Sequence, residues 1–160
     1  TAFGYEPMAF DAADGDGTSI YHTNVLMCIA ADFVLIGLDM ITDPQRRQVV
    51  AQRLSGRRGT RPVINLSPRQ IHDFAGNAIE LEGHDGERFL ALSTRAAATL
   101  TDEQREIIER TCTLLPLDVP TIELAGGSVR CMVAGIHLDA RLPLPEGVGP
   151  AGLEPTTTAV

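Results

Sequence analysis

Hydrophobic and polar positions along this chain alternate between two periods, and the order in which they do so repeats. From Ile20 to Ala30 and from Phe33 to Ile41 the residues are mostly β-branched or otherwise apolar, which predicts two strands meeting at Ala31-Asp32. Thr42-Asp43-Pro44-Gln45 then has the form of a helix start, with Thr42 as cap, Gln45 at the capping-box position and Pro44 in the first turn. That helix is expected to reach about Leu54 and to stop at Ser55-Gly56, with a short strand following from Arg61 to Leu66.

The second half runs through the same order. Ser67-Pro68-Arg69-Gln70 begins a short helical turn ending near Phe74-Ala75-Gly76. Strands are predicted from Asn77 to Glu82 and from Phe89 to Ser93, a capped helix from Thr101 through Arg110, and a strand from Thr113 to Leu117. Fifty-three residues separate Asn24 from Asn77 and 54 separate Asn77 from Cys131, so three polar positions recur at one point of successive units. A fixed period of this size indicates stacked or radially arranged supersecondary units sharing a core. Val129 to Leu138 reads as the opening strand of a third unit. From Arg141 onward Pro143, Pro145, Pro150 and Pro155 punctuate a stretch without apolar periodicity, so residues 141–160 are expected to be a disordered tail behind a single domain over 1–140.

Composition narrows the function classes. A net charge of -8 and a pI near 4.9 disfavour nucleic acid and anionic membrane surfaces. All thirteen basic residues are arginine, so no lysine is present to form a Schiff base. The longest apolar stretch, Val25 to Ile41, is broken by Asp32 and Asp39 and falls short of a membrane span of about 20 residues. Three widely spaced cysteines, Cys28, Cys112 and Cys131, lack a disulfide-framework pattern and fit a reducing, cytoplasmic setting. Asp14-Gly15-Asp16-Gly17 resembles the start of a calcium loop, but no glutamate stands at the closing position and no metal is expected. The first residue is Thr1, and the chain is expected to be the later part of a longer protein.

The candidate chemistry lies in two places. Gly126-Gly127-Ser128-Val129-Arg130-Cys131-Met132 sets a cysteine just past a glycine pair, which permits close backbone approach. Tyr21-His22-Thr23-Asn24-Val25 supplies a distant histidine, so a Cys/His nucleophilic site is possible; a buried structural cysteine and a packed core histidine are the alternatives on composition alone.

Both stretches resemble the guanidino-group modifying enzymes: arginine deiminases, amidinotransferases and dimethylarginine dimethylaminohydrolases, and within them the hydrolases linked to citrulline use. Arg130-Cys131-Met132 after a glycine run matches their nucleophile segment, with Ala125 where a triple glycine would start, and His22-Thr23-Asn24 aligns with their acid/base element. The resemblance implies a five-bladed ββαβ α/β propeller of the pentein type, with only the last two to three units in this chain. It implies Cys131 and His22 as catalytic residues, with Asn24, Asn77, Arg130 and Gly127 on the substrate side. No organic cofactor is required. The partner implied is a small guanidino or ureido compound, and a homo-oligomer is possible.

One departure matters: these enzymes usually carry aspartate where Asn24 stands, and a neutral amide cannot pair with a guanidinium as a carboxylate does. The carboxylate orienting the histidine is expected upstream of Thr1, which would leave this chain incomplete as an enzyme. A non-catalytic binding protein or inactive remnant of the same fold, and an unrelated cysteine amide hydrolase, are the other readings.

Overall fold

The structure is a computed structural model that describes Gly4 and residues 6–135. It contains two three-stranded sheets with the same construction. In the first, β1 (Met27–Ile29) runs antiparallel to β2 (Val34–Ile36), and β2 runs parallel to β3 (Val63–Asn65). In the second, β4 (Ile79–Glu82) is antiparallel to β5 (Arg88–Ser93), and β5 is parallel to β6 (Thr113–Leu117). Each parallel step needs a crossover, supplied by α2 (Pro44–Leu54) in the first unit and by α4 (Thr94–Thr99) with α5 (Asp102–Glu109) in the second. The repeat of strand, strand, helix, strand is thus present twice.

The middle strands carry the core. Val34, Leu35 and Ile36 are fully buried, as are Leu90 and Leu92, because each strand is covered on both faces and flanked on both edges. Phe33, Leu26, Ile41, Val50, Leu66 and Ile108 complete a continuous apolar cluster across both units. Where the units meet, β1 lies beside β4, the Glu80 carboxylate accepts the Ala31 amide at 2.7 Å, and Arg88 pairs with Glu80 and Asp32.

Two capping boxes lock together behind the sheets. Ser67 caps α3 (Pro68–His72) and Thr101 caps α5, each with a glutamine at the third position. Gln70 Nε2 donates to Gln104 Oε1 at 2.6 Å and to the Thr99 carbonyl at 2.8 Å, so each glutamine serves its own helix and the other's.

Several expectations need correcting. The strand predicted from Ile20 to Ala30 is only Met27–Ile29, because Thr23–Leu26 form a helical turn, α1, that packs against Gly76. Thr42 does not cap α2: its amide and hydroxyl are both spent on the Asp11 carbonyl, and Asp43 caps instead, accepting from the Gln45 amide at 2.8 Å. Beyond Ile36 the second strand gives way to a 3₁₀ turn at Leu38–Met40. Besides α1, two helices were not foreseen, α4 and α6 (Pro120–Leu124). The strand expected to open a third unit is, over Val129–Met132, a 3₁₀ turn whose Val129 is buried against β5; 136–138 and the tail 141–160 lie outside the described residues.

Candidate active site

The register of the two sheets brings the predicted residues to one end of the fold. β1 begins where β2 and β3 finish, since Met27 is level with Ile36 and Ile36 with Asn65; Ile79 stands likewise beside Ala91, near the end of β5. The residues preceding β1 and β4 therefore sit at the carboxyl end of the parallel strands. Asn24 and Asn77, one period apart, are such residues.

Gly76 is what lets them meet. A Cβ built there would stand 2.4 Å from the Val25 carbonyl oxygen and 2.9 Å from the Leu26 carbonyl carbon, so only a residue without a side chain fits between the two segments. Two residues earlier Phe74 has φ of +65°, in the left-handed region a bulky residue seldom adopts. This strained turn after α3 swings Ala75, Gly76 and Asn77 beneath α1. In the sequence both residues read only as the end of a helical turn. A glycine directly before a recurring polar position was the available signal.

Asn77 is almost completely buried, at 1% exposure. Its Nδ2 donates to the Asn24 carbonyl at 2.8 Å and to the Cys131 Sγ at 3.2 Å, and its own carbonyl lies 3.4 Å from the Arg130 amide. Its Oδ1 is buried and has no partner among the described residues. Asn24, half-buried, approaches the same sulfur with its Nδ2 at 3.6 Å. All three positions of the 53/54-residue period thus converge on one atom.

Cys131 itself is exposed, on the 3₁₀ turn after the glycine pair. Gly126 has φ of +88°, which a side chain would strain, and its carbonyl lies 3.4 Å from the Tyr21 hydroxyl. Gly127 lies directly against the cysteine, where an added Cβ would come within 3.3 Å of the Cys131 Cβ. Arg130 reaches across to β1, donating to the Met27 carbonyl at 3.0 Å, which ties the cysteine turn to the strand that follows α1. Ser128, buried, donates to Glu123 at 3.2 Å.

His22 is exposed at the head of α1, where its carbonyl accepts the Val25 amide at 3.1 Å. No hydrogen bond joins its ring to Cys131 among the described residues. It stands between two clefts. One, of about 310 Å³, is lined by His22, Thr23, Asn24, Met27, Ile29 and Arg130. The other, of about 260 Å³, lies against the N-terminal segment, with Met8, Phe10 and Ile20 in its wall. A larger hollow of about 650 Å³ along α2 is remote from this chemistry, and two of its arginines are engaged, Arg46 by the Ala9 carbonyl and Arg53 by Glu6.

The other two cysteines belong to the junction between units. Burial pushes the Cys28 thiol up to about 11, and burial together with donation to Glu80 at 3.2 Å pushes Cys112 up to about 11. Neither thiol is nucleophilic near neutrality. Among the described residues no three metal-ligating side chains cluster, and Asp14 instead closes its own turn by accepting from the Asp16 and Thr18 amides. No described helix is long and apolar enough to cross a membrane.

This α/β arrangement of small mixed sheets, each antiparallel then parallel, with a cysteine turn at the strand ends, is similar to the fold of guanidino-group hydrolases. The chain belongs to the family described as N,N dimethylarginine dimethylhydrolase, eukaryotic, whose model matches residues 1–138. No curated protein matches it by sequence. Among solved structures it is similar to apo ArgZ, an arginine dihydrolase from the ornithine-ammonia cycle in Cyanobacteria, with TM-score 0.57 and 15% identity over 78% of this chain and 18% of that one. AgrE in a ternary complex with ornithine and NAD+ gives TM-score 0.55 at 15% identity, over 78% and 16%. The N-terminal domain of ArgZ bound to product gives 0.51 at 17%, over 70% and 36%. The chain therefore spans less than two-fifths of the length of each.

Proposed function

We propose that this chain carries the nucleophile and the acid/base of a hydrolase that cleaves a C–N bond of a guanidino or ureido compound, with Cys131 and His22 in those roles. The observation that carries the reading is the convergence of Asn24 and Asn77 amide groups on the Cys131 sulfur, at 3.6 and 3.2 Å, on an exposed turn beside a cleft that His22 lines.

In this reading the Cys131 thiolate adds to the central carbon of the substrate, and the C–N bond to the departing nitrogen breaks as His22 gives that nitrogen a proton. The resulting planar thiouronium-type intermediate is then attacked by water, His22 takes the water's proton, and the sulfur leaves as thiolate. The product of a guanidino substrate is a ureido compound plus an amine or ammonia. Asn24 and Arg130 line the cleft on the substrate side, and Gly127 gives the substrate access to the sulfur. A neutral Asn24 and a cationic Arg130 favour a ureido group or a guanidine whose charge is met elsewhere. The repeated strand, strand, helix, strand order supports a single catalytic domain built as a five-unit propeller, to which this chain contributes the last two to three units. A cytoplasmic setting agrees with three free cysteines.

A non-catalytic relative of the same fold is the second reading, favoured by the missing hydrogen bond between His22 and Cys131. Release of ammonia or amine from a panel of guanidino and ureido compounds decides between them, measured on the protein at the length its own cells produce. Turnover of any member that falls at least a thousandfold in Cys131→Ala supports the hydrolase. No turnover of any compound, or turnover that survives Cys131→Ala, refutes it.

A further inference from the structure

We propose that Asn77 is a positioning residue: its side-chain amide holds the Cys131 sulfur, favours its anionic form, and ties it to the turn that carries His22. The inference rests on Cys131 being the nucleophile, and it moves Asn77 from the substrate wall to a place behind the reacting atom.

Burial argues for this first. At 1% exposure Asn77 presents nothing to the clefts beside Cys131, and its two amide hydrogens are both committed, one to the Asn24 carbonyl and one to the sulfur. An N–H donor directed at sulfur stabilises thiolate more than thiol, because the bond to a charged acceptor is the stronger one. The same amide group spans two separate segments. Asn24 lies two residues beyond His22, at the start of α1, while Cys131 lies on the glycine-led turn, so one planar group sets the spacing between acid/base and nucleophile. Arg130 reinforces the arrangement with its amide near the Asn77 carbonyl and its guanidinium on Met27.

The surrounding cost points the same way. The Asn77 Oδ1 is buried without a partner among the described residues, Phe74 is held at positive φ, and Gly76 is forced against α1, all within four residues. Strain and an unsatisfied polar atom concentrated in one short segment mark a site kept for chemistry rather than for stability. The titratable and charged groups on the elements around the sulfur include Tyr21 and His22 at the head of α1, Arg130 on the cysteine turn and Glu123 on α6; the Tyr21 hydroxyl lies 3.4 Å from the Gly126 carbonyl, and Glu123 is engaged by Ser128.

The test is the pH dependence of Cys131 alkylation by iodoacetamide, read by peptide mass spectrometry in the wild type, Asn77→Ala and Asn24→Ala. Cys28 and Cys112, buried and unreactive, serve as internal controls. In Asn77→Ala the profile should move to higher pH, read as an about tenfold lower alkylation rate on the rising limb. In Asn24→Ala, whose donor is farther away, the effect should be smaller. A structural role alone changes the limiting rate and leaves the midpoint in place. If Asn77→Ala does not fold, the wild type suffices: the Asn77 side-chain amide resonance, followed by ¹⁵N NMR, should titrate with the Cys131 midpoint. An unmoved midpoint in folded Asn77→Ala, or an amide resonance that ignores the Cys131 titration, overturns the proposal. Loss of turnover in Cys131→Ala alongside either result would leave the hydrolase reading standing, so the two can fail separately.

Discussion

Replacing Gly76 by alanine perturbs the contact that lets the two segments of the site meet. The added Cβ would stand 2.4 Å from the Val25 carbonyl oxygen, and relief to ordinary contact requires the segments to part by about 1 Å. The listeners to that movement are the Asn77 hydrogen bonds. A separation of about 1 Å stretches the 2.8 Å bond to the Asn24 carbonyl past the useful limit and loosens the 3.2 Å approach to sulfur. Overpacking costs about 1–3 kcal/mol and each lost hydrogen bond about 1 kcal/mol, while alanine returns about 0.4–1 kcal/mol by restricting the unfolded chain. The net expectation is a loss of about 2–4 kcal/mol, read as a lower urea midpoint with an unchanged slope. In the active protein a displacement of this size should reduce turnover by about a hundredfold. A variant as stable as the wild type, or more so, with normal turnover would show that α1 yields without cost and would refute the argument that Gly76 sets the site.

Two more outcomes follow from groups outside the site. The Cys28 thiol ionises at 9.0 in an unfolded chain and at about 11 when folded, so folding holds its proton more tightly; the stabilisation is complete below pH 9 and is lost as pH rises from 9 to about 11. That loss should amount to about 2–3 kcal/mol, seen as an alkaline fall in unfolding free energy that flattens in Cys28→Ala; a curve unaffected by the substitution would refute it. Gln104→Ala removes the partner of buried Gln70 and one capping box at once, and should cost about 1–3 kcal/mol by chemical denaturation, whereas a change under about 0.5 kcal/mol would mean the two boxes act independently.

Local signals carried much of this architecture. The repeating order of elements, the 53/54-residue recurrence of Asn24, Asn77 and Cys131, the helical turn at Ser67 and the Thr101 cap depend on neighbours within a few residues or on a period, and all were legible in the chain. Helix α2 was legible too, although its cap was not, because Thr42 is claimed by Asp11, thirty-one residues away. The apolar run from Ile20 read as one strand since its composition favours extended backbone. Packing against Gly76 folded part of it into a turn, a contact some fifty residues off in sequence. The same distance hid the role of Asn77. Its residue type and position suggested a polar site, but burial and the direction of its amide exist only once α1, the strained turn at Phe74 and the Cys131 turn are packed together. Short-range sterics and hydrogen bonding are written into a sequence one segment at a time, while the convergence of three segments on one sulfur is a property of their packing, and tertiary structure alone decides it.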